Sequence, residues 1–353
     1  MSESIIPPLD RVGVNLAAAI DRANDSAARR LPRRRMLLAS AVAALLLLAA
    51  VPTFISLGGH RVGSLSTAEA IDQVARAAES NPLPFARSDQ YQYTLSRGTW
   101  IWYFGGGYNT LTKKHIPQYA ALVTTRRQAW VSVDRPGAIS ERRVSVKWVT
   151  DRDRRIAREQ HEKDKFGPRG RKPMGLAPDR AYYFLGKKMT RAELEKAPSD
   201  PRVIYERTLK SLSGAGQGPA DGVWQGLTEP LYESAYPAKV RAGMVRALGL
   251  VPGVQTLGVK RDPLGREGIA ISRVHAGVRD TLIFDQTNSA MLYQRSTIVN
   301  SARSGLKWPI GTTVTDYLAF KQGVVDEVPE AITEKLPPVQ RRRIQSSVGL
   351  VGN

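Results

Sequence analysis

Apolar positions along this chain change period, and each change marks an element. From Leu9 to Ala28 they recur every three or four residues (Leu9, Val12, Leu16, Ile20, Ala23), with Asp10, Arg11, Asp21, Arg22 and Asp25 largely off that stripe. This spacing predicts an amphipathic helix over 9–28, open to a partner or to an anionic lipid surface. Met36 to Leu57 then runs 22 residues without a charge. A helix of that length covers about 33 Å, enough for a hydrocarbon core of about 30 Å. Arg29, Arg30, Arg33, Arg34 and Arg35 precede it, whereas Gly58, Gly59 and His60 separate it from Arg61. That asymmetry predicts a cytoplasmic N-terminus and an external remainder. The alternatives are a cleaved signal peptide, against which the long N-terminal lead and Pro52 count, and a buried core helix, against which the missing polar side counts.

Past a short linker, Ser66 or Thr67 caps a helix whose stripe is Ala68, Ile71, Val74, Ala75 and Ala78; Asn81, Pro82 and Pro84 end it. The period then falls to two. Gln90 to Phe104 reads as a strand bent near Gly98. Tyr119–Val133 and Ile139–Thr150 read as two more, joined by the turn Asp134-Arg135-Pro136-Gly137. Asp151 to Pro173 carries mixed charge and predicts a solvated helix followed by a flexible loop. Helical spacing returns between Thr190 and Leu250, with a capping box at Thr190–Glu193 and Pro201 at a first helical position. Short strands follow at Val254–Arg261, Gly268–Val274, Val278–Phe284, Ala290–Val299 and Thr312–Phe320, an antiparallel meander.

The fold class read from this pattern is α+β: one N-terminal transmembrane helix, then an extracytoplasmic curved antiparallel sheet with packed helices. Its parts are residues 1–35 in the cytoplasm, 36–57 in the membrane, 58–327 outside with a sub-boundary near 151–190, and 328–353 as a polar, disordered tail.

Charge sharpens this picture. The net charge is +20; residues 1–35 hold seven arginines against four acids, and the part after the apolar run holds 45 basic against 28 acidic residues. An external location turns that excess toward anionic lipids or wall polymers rather than nucleic acid. Without cysteine, thiolate metal sites, Cys nucleophiles and Fe–S clusters are excluded.

Little in the sequence points to catalysis. The histidines are His60, His115, His161 and His275. His275 with Ser272 and Asp280 can be drawn as a triad, but hairpin neighbours of this kind are expected to point outward without converging. His161-Glu162 lacks the second histidine of a zinc helix. The Gly214-x-Gly216-x-Gly218 loop lacks a strand and a lysine, and Asp151 and Asp153 sit among arginines as expected ion pairs. The reading is a non-enzyme with no catalytic, metal or cofactor residue. Trp100, Trp102, Trp130 and Trp148 lie in three adjacent strands, as core filling or as an apolar groove for a lipid-like ligand.

Several stretches together resemble a family of actinobacterial single-pass membrane proteins of unknown function, often encoded beside extracytoplasmic-function sigma factors. They are Leu31-Pro32-Arg33-Arg34-Arg35; Asp89-Gln90-Tyr91-Gln92-Tyr93; Ala238–Leu250 leading into Pro252-Gly253-Val254; Leu282-Ile283-Phe284-Asp285 with Leu292; and Tyr317 with Gly323-Val324-Val325-Asp326. One departure is Thr287-Asn288 in place of Thr-Gly. The external part also looks like the fold of periplasmic lipoprotein carriers and sigma-regulator sensors. The resemblance implies a membrane-anchored regulator or sensor, anti-sigma-like, with residues 9–28 meeting a cytoplasmic sigma factor. The other readings are a lipid- or glycolipid-binding module and a structural protein adhering to wall polymers.

Overall fold

The computed structural model describes residues 65–104, 108–109, 114–115, 118–132, 134–160, 173–176, 183–211, 218–233, 236–304 and 308–348. The chain divides into units 1–61 and 62–353, and all described residues belong to the second. The helices expected over 9–28 and 36–57 lie outside the described residues.

In chain order the elements are α1 (Thr67–Ser80), β1 (Tyr91–Phe104), β2 (Tyr108–Asn109), β3 (Lys114–His115), β4 (Tyr119–Val131), β5 (Gly137–Trp148), α2 (Asp151–Glu159), β6 (Met174–Leu176), β7 (Tyr183–Phe184) and β8 (Lys187–Lys188). Then come α3 (Arg191–Glu195), α4 (Pro201–Ser211), α5 (Pro219–Glu233), α6 (Ala238–Leu248), β9 (Val254–Arg261), β10 (Glu267–His275), β11 (Val278–Phe284) and β12 (Met291–Ile298). The chain closes with α7 (Ser301–Ser304), β13 (Thr313–Val325), α8 (Glu330–Thr333) and α9 (Pro338–Val348).

Nine strands form one antiparallel sheet in the order β6-β5-β4-β1-β13-β12-β11-β10-β9. Two sequential meanders meet where β1 pairs with β13, Tyr91 opposite Val325 and Thr99 opposite Asp316. Because side chains alternate faces along a strand, Ala129, Val131, Ile269, Ile271, Leu282, Phe284 and Met291 all point to one side. There they meet Ile71, Val74 and Ala78 of α1, Ile204 of α4, Leu227 and Leu231 of α5, and Met244, Val245 and Leu248 of α6 in the main core. Ser66, rather than Thr67, caps α1: its Oγ accepts from Glu69 N at 3.3 Å while Glu69 Oε2 accepts from Ser66 N at 2.8 Å.

The fold class needs correction. Among the described residues the architecture is a nine-stranded antiparallel sheet with helices, and no helix is long and apolar enough to cross a membrane. The longest, α5, has 15 residues, about 22 Å of rise against the roughly 30 Å needed, and carries Asp221, Glu229 and Glu233. Among the described residues the transmembrane, single-pass description therefore gives way to that of helices packed by one face on a sheet.

The strand expected over Gln90–Phe104 runs through Gly98 as β1, in register with β4 from Gln92 to Phe104; the irregularity in its pairing lies at Leu95/Ser96, facing β13. Gly98 is glycine because the Trp100 ring lies over it: a Cβ there would sit 1.7 Å from Trp100 Cη2. The tail expected to be disordered from residue 328 instead holds α8 and α9, and Val328, Leu336 and Ile344 are buried against Tyr91, Trp130 and Ala138 on the sheet face opposite the main core.

Candidate functional site

Register decides which aromatic residues share a face. Trp100 pairs with Val123 and Trp102 with Ala121, which pairs in turn with Trp148. These three indoles thus point to the side of the main core. Trp148 reaches it because β5 slips by one residue between Arg143 and Ser145, opposite Thr125 and Thr124, a bulge that turns the rest of the strand over. Trp130 points the other way and packs on Tyr93 with ring centroids 5.3 Å apart. At the far end of this aromatic strip Phe104, Tyr119 and Trp148 pack with Ile156 and Ala157 of α2. That helix is held by Asp153, a buried residue accepting from Ala120 N at 3.1 Å and Thr150 N at 3.0 Å. Asp153 is therefore the third-position partner of the Thr150 capping box; Asp151, as expected, pairs with an arginine, Arg154, at 3.2 Å.

Between α2 and the main core the floor turns polar. Ser96, Arg127 and Glu141 form one transverse row, and Gly98, Thr125 and Arg143 the next. The second row continues through Tyr317 to Gln294. Tyr317 ties it to the helices: its ring stacks on Tyr232 at 4.9 Å and its hydroxyl donates to Tyr232 O at 2.8 Å. Thr125 Oγ1, Gln294 Oε1 and Gln92 Oε1 on this face are buried, with no hydrogen-bond partner among the described residues. Each such atom costs about 1–3 kcal/mol if left unsatisfied. The strip thus combines half-buried indoles, a guanidinium and a carboxylate in register, and hydrogen-bonding groups in search of partners.

The drawn triad resolves differently from the sequence expectation. His275 and Asp280 do converge, Nε2 to Oδ2 at 3.0 Å, because both lie on the helix-bearing face of the β10–β11 hairpin. No serine among the described residues completes the set. Ser272 Oγ donates to the Asp280 carbonyl at 2.8 Å, and Ser296 Oγ donates to Asp280 Oδ1 at 2.5 Å. Both hydroxyls are thus committed to Asp280 rather than to the imidazole, which is the wrong order for a base-activated nucleophile. On its other side His275 Nδ1 lies 3.6 Å from Asp221 of α5, which also receives Arg273 Nη2 at 2.5 Å. The cluster fastens the hairpin to α5.

The hydrogen bond to Asp280 raises the His275 pKa above 6.5, helped by the negative charge of Asp221 and opposed by burial and by Arg273. A raised value in the fold means that protonation stabilises it. The contribution is complete below the unfolded pKa, near 6.5, and fades as pH climbs through the higher folded value. Urea unfolding at pH 5.5 and pH 8.5 should accordingly show His275→Gln losing more stability relative to the parent at the lower pH. A loss equal at both values would remove the imidazolium from the account.

His60, His161, Gly214 and Gly216 lie outside the described residues, and so does the side chain of His115. Among the described residues no group of three or more His, Asp or Glu is placed to hold a metal ion. A surface hollow of about 250 Å³ is lined by Lys187, Met189, Glu193, Lys196, Pro198 and Arg207; it is smaller than sites for drug-sized ligands and apart from the strip. No family model and no curated protein matches the chain. The polar floor was not foreseen in the sequence, where Arg126-Arg127 and Arg142-Arg143 carry no local signal of it; alternation sends one arginine of each pair to each face.

Proposed function

We propose that this chain is a non-enzymatic binding protein whose ligand lies along the strip from Trp100 and Trp102 to Arg127 and Glu141. The observation that carries the reading is the in-register meeting of indoles with a guanidinium–carboxylate row and a buried Thr125 hydroxyl that has no hydrogen-bond partner among the described residues. Indole faces suit acyl chains and the apolar faces of sugar rings, while a few convergent polar groups fix orientation. The chemistry that uses both is a glycolipid.

Native mass spectrometry of the full chain should show an adduct of lipid mass, and a clean apo mass would count against the reading. Titration with dispersed diglucosyl diacylglycerol, followed by tryptophan fluorescence, should saturate. Trp100→Ala should weaken the dissociation constant about tenfold, a loss of about 1.4 kcal/mol, whereas the Trp148→Phe variant, altered where α2 packs, should keep the parental affinity. An unchanged affinity in Trp100→Ala would move the ligand elsewhere.

A further inference from the structure

The hollow of about 250 Å³ beside α3 joins an apolar floor to a cationic lip. Three local devices build it. The β7–β8 hairpin turns through Leu185 and Gly186, with φ of 52° and 78°, the left-handed pair that a tight two-residue turn requires, and Lys187 follows at its lip. A capping box then starts α3: Thr190 Oγ1 accepts from Glu193 N at 3.3 Å, and Glu193 Oε2 accepts from Thr190 N at 2.8 Å. Past Lys196 the chain runs through Pro198 into α4, which contributes Arg207. Met189, Ala192, Ala197 and Pro198 make the floor apolar, and Met189 continues into the main core.

Lys187, Glu193, Lys196 and Arg207 border this floor. Glu193 is committed, since it accepts from Lys187 Nζ at 3.4 Å as well as from the cap. The acids beside Lys196 are committed too: Glu195 pairs with Arg191 at 2.9 Å, and Asp200 Oδ1 accepts from Arg202 N and Val203 N at 2.8 and 3.0 Å. Arg207 has no acid three or four positions away on α4, the spacing at which helix neighbours meet. Lys196 and Arg207 thus have no carboxylate partner among the described residues. Two uncommitted cations beside an apolar floor complement a molecule with one anionic end and a hydrocarbon tail. Independently of the strip and its ligand, we propose that this hollow binds a medium-chain aliphatic carboxylate, its head paired with Lys196 and Arg207 and its tail on the floor. Size sets the length: at about 30 Å³ for a group as large as a water molecule, the hollow holds about eight such groups. An amino acid fits the charges poorly, because its ammonium would face three cations against the one carboxylate of Glu193.

The test titrates the full chain with octanoate at low salt, by calorimetry and ligand-observed NMR. Octanoate should bind with a dissociation constant of about 1 mM or below, in keeping with a ligand of so few atoms. Acetate, which lacks the tail, should bind at least tenfold more weakly, and octanol, which lacks the charge, about fivefold more weakly. The variant K196Q/R207Q should lose about fivefold, the size expected of two surface ion pairs, whereas the charge-matched control K260Q/R279Q should stay within twofold. Ala192 is exposed on α3, so Ala192→Trp should fill the hollow and abolish binding while the urea midpoint holds. Trp100→Ala should leave octanoate binding unchanged, which separates this site from the strip; a loss there would place the carboxylate on the strip instead and overturn the proposal. Octanol or acetate binding as tightly as octanoate, equal weakening in both double variants, or undiminished binding to Ala192→Trp would each overturn it as well. Tighter binding of a peptide with an aliphatic C-terminal residue would overturn the ligand class.

Discussion

Gly243→Val should lower the free energy of unfolding by about 4 kcal/mol, one of the largest effects of any single substitution in this fold. Gly243 lies in α6 where that helix crosses the start of α4. A Cβ there would sit 2.3 Å from the Ser199 carbonyl oxygen and 2.8 Å from Ile204 Cδ1. Neither neighbour gives way easily. Ser199 precedes a tight cap in which Asp200 Oδ1 accepts from Arg202 N at 2.8 Å and Val203 N at 3.0 Å, and Pro201 fixes the next φ. Ile204 is fully buried in the main core. Removing glycine from a helix interior favours folding by about 1 kcal/mol or less, whereas separating two packed helices costs several times that. Sterics win. Gly323 of β13, with nothing within 4 Å of its added Cβ, is the matched control: Gly323→Ala should stay within about 0.5 kcal/mol. Urea midpoints of the two variants decide it, and equal shifts would refute the close-approach account.

How far the sequence foretold these contacts depends on their separation along the chain. β9 and β11 were legible with their observed bounds, Val254–Arg261 and Val278–Phe284, because alternation and turn residues are local signals. The junction of β1 with β13 joins positions more than two hundred residues apart, and no local pattern encodes a pairing across that distance. β13 itself extends to Val325, five residues past its expected end, since beyond Phe320 its partner β1 replaces what its own composition does not signal. The helices of the last segment were missed for the same reason: Val328, Leu336 and Ile344 are sparse in sequence, and what buries them, Tyr91, Trp130 and Ala138, comes from far upstream.

The candidate site was half legible. Tryptophans in three strands drew notice, but which of them share a face depended on the slip in β5, whose only trace is the run Arg142-Arg143-Val144-Ser145. His275 and Asp280 were visible as a pair; Asp221, the second carboxylate beside that imidazole, belongs to a helix some fifty residues earlier in the chain. By contrast the charge-free run over 36–57 dominated the sequence reading, and it lies outside the described residues.

Arg241 is a fully buried cation, and two substitutions at that position should part in outcome. It sits in α6 with 1% exposure; Nε donates to Ser289 Oγ at 2.9 Å, Nη2 to Ser289 O at 2.5 Å, and Nη1 has no hydrogen-bond partner among the described residues. Ser289 itself holds a left-handed φ of 60° in the β11–β12 turn, so the arginine tethers a strained turn to the helix layer. Burial brings its pKa down from 12.5 to about 10. Folding therefore disfavours the charged form, a cost of about 3 kcal/mol at neutral pH that lifts only as pH rises above about 10. Arg241→Ala removes the tether, leaves a cavity and orphans the Ser289 carbonyl, and should cost about 4 kcal/mol. Arg241→Met loses the same hydrogen bonds but fills the space and removes the uncompensated charge. The two terms nearly offset, so its stability should lie within about 1 kcal/mol of the parent. Urea unfolding at pH 7 separates the cases: a methionine variant as damaged as the alanine one would mean that the hydrogen bonds to Ser289, rather than filled volume, hold α6 to the turn.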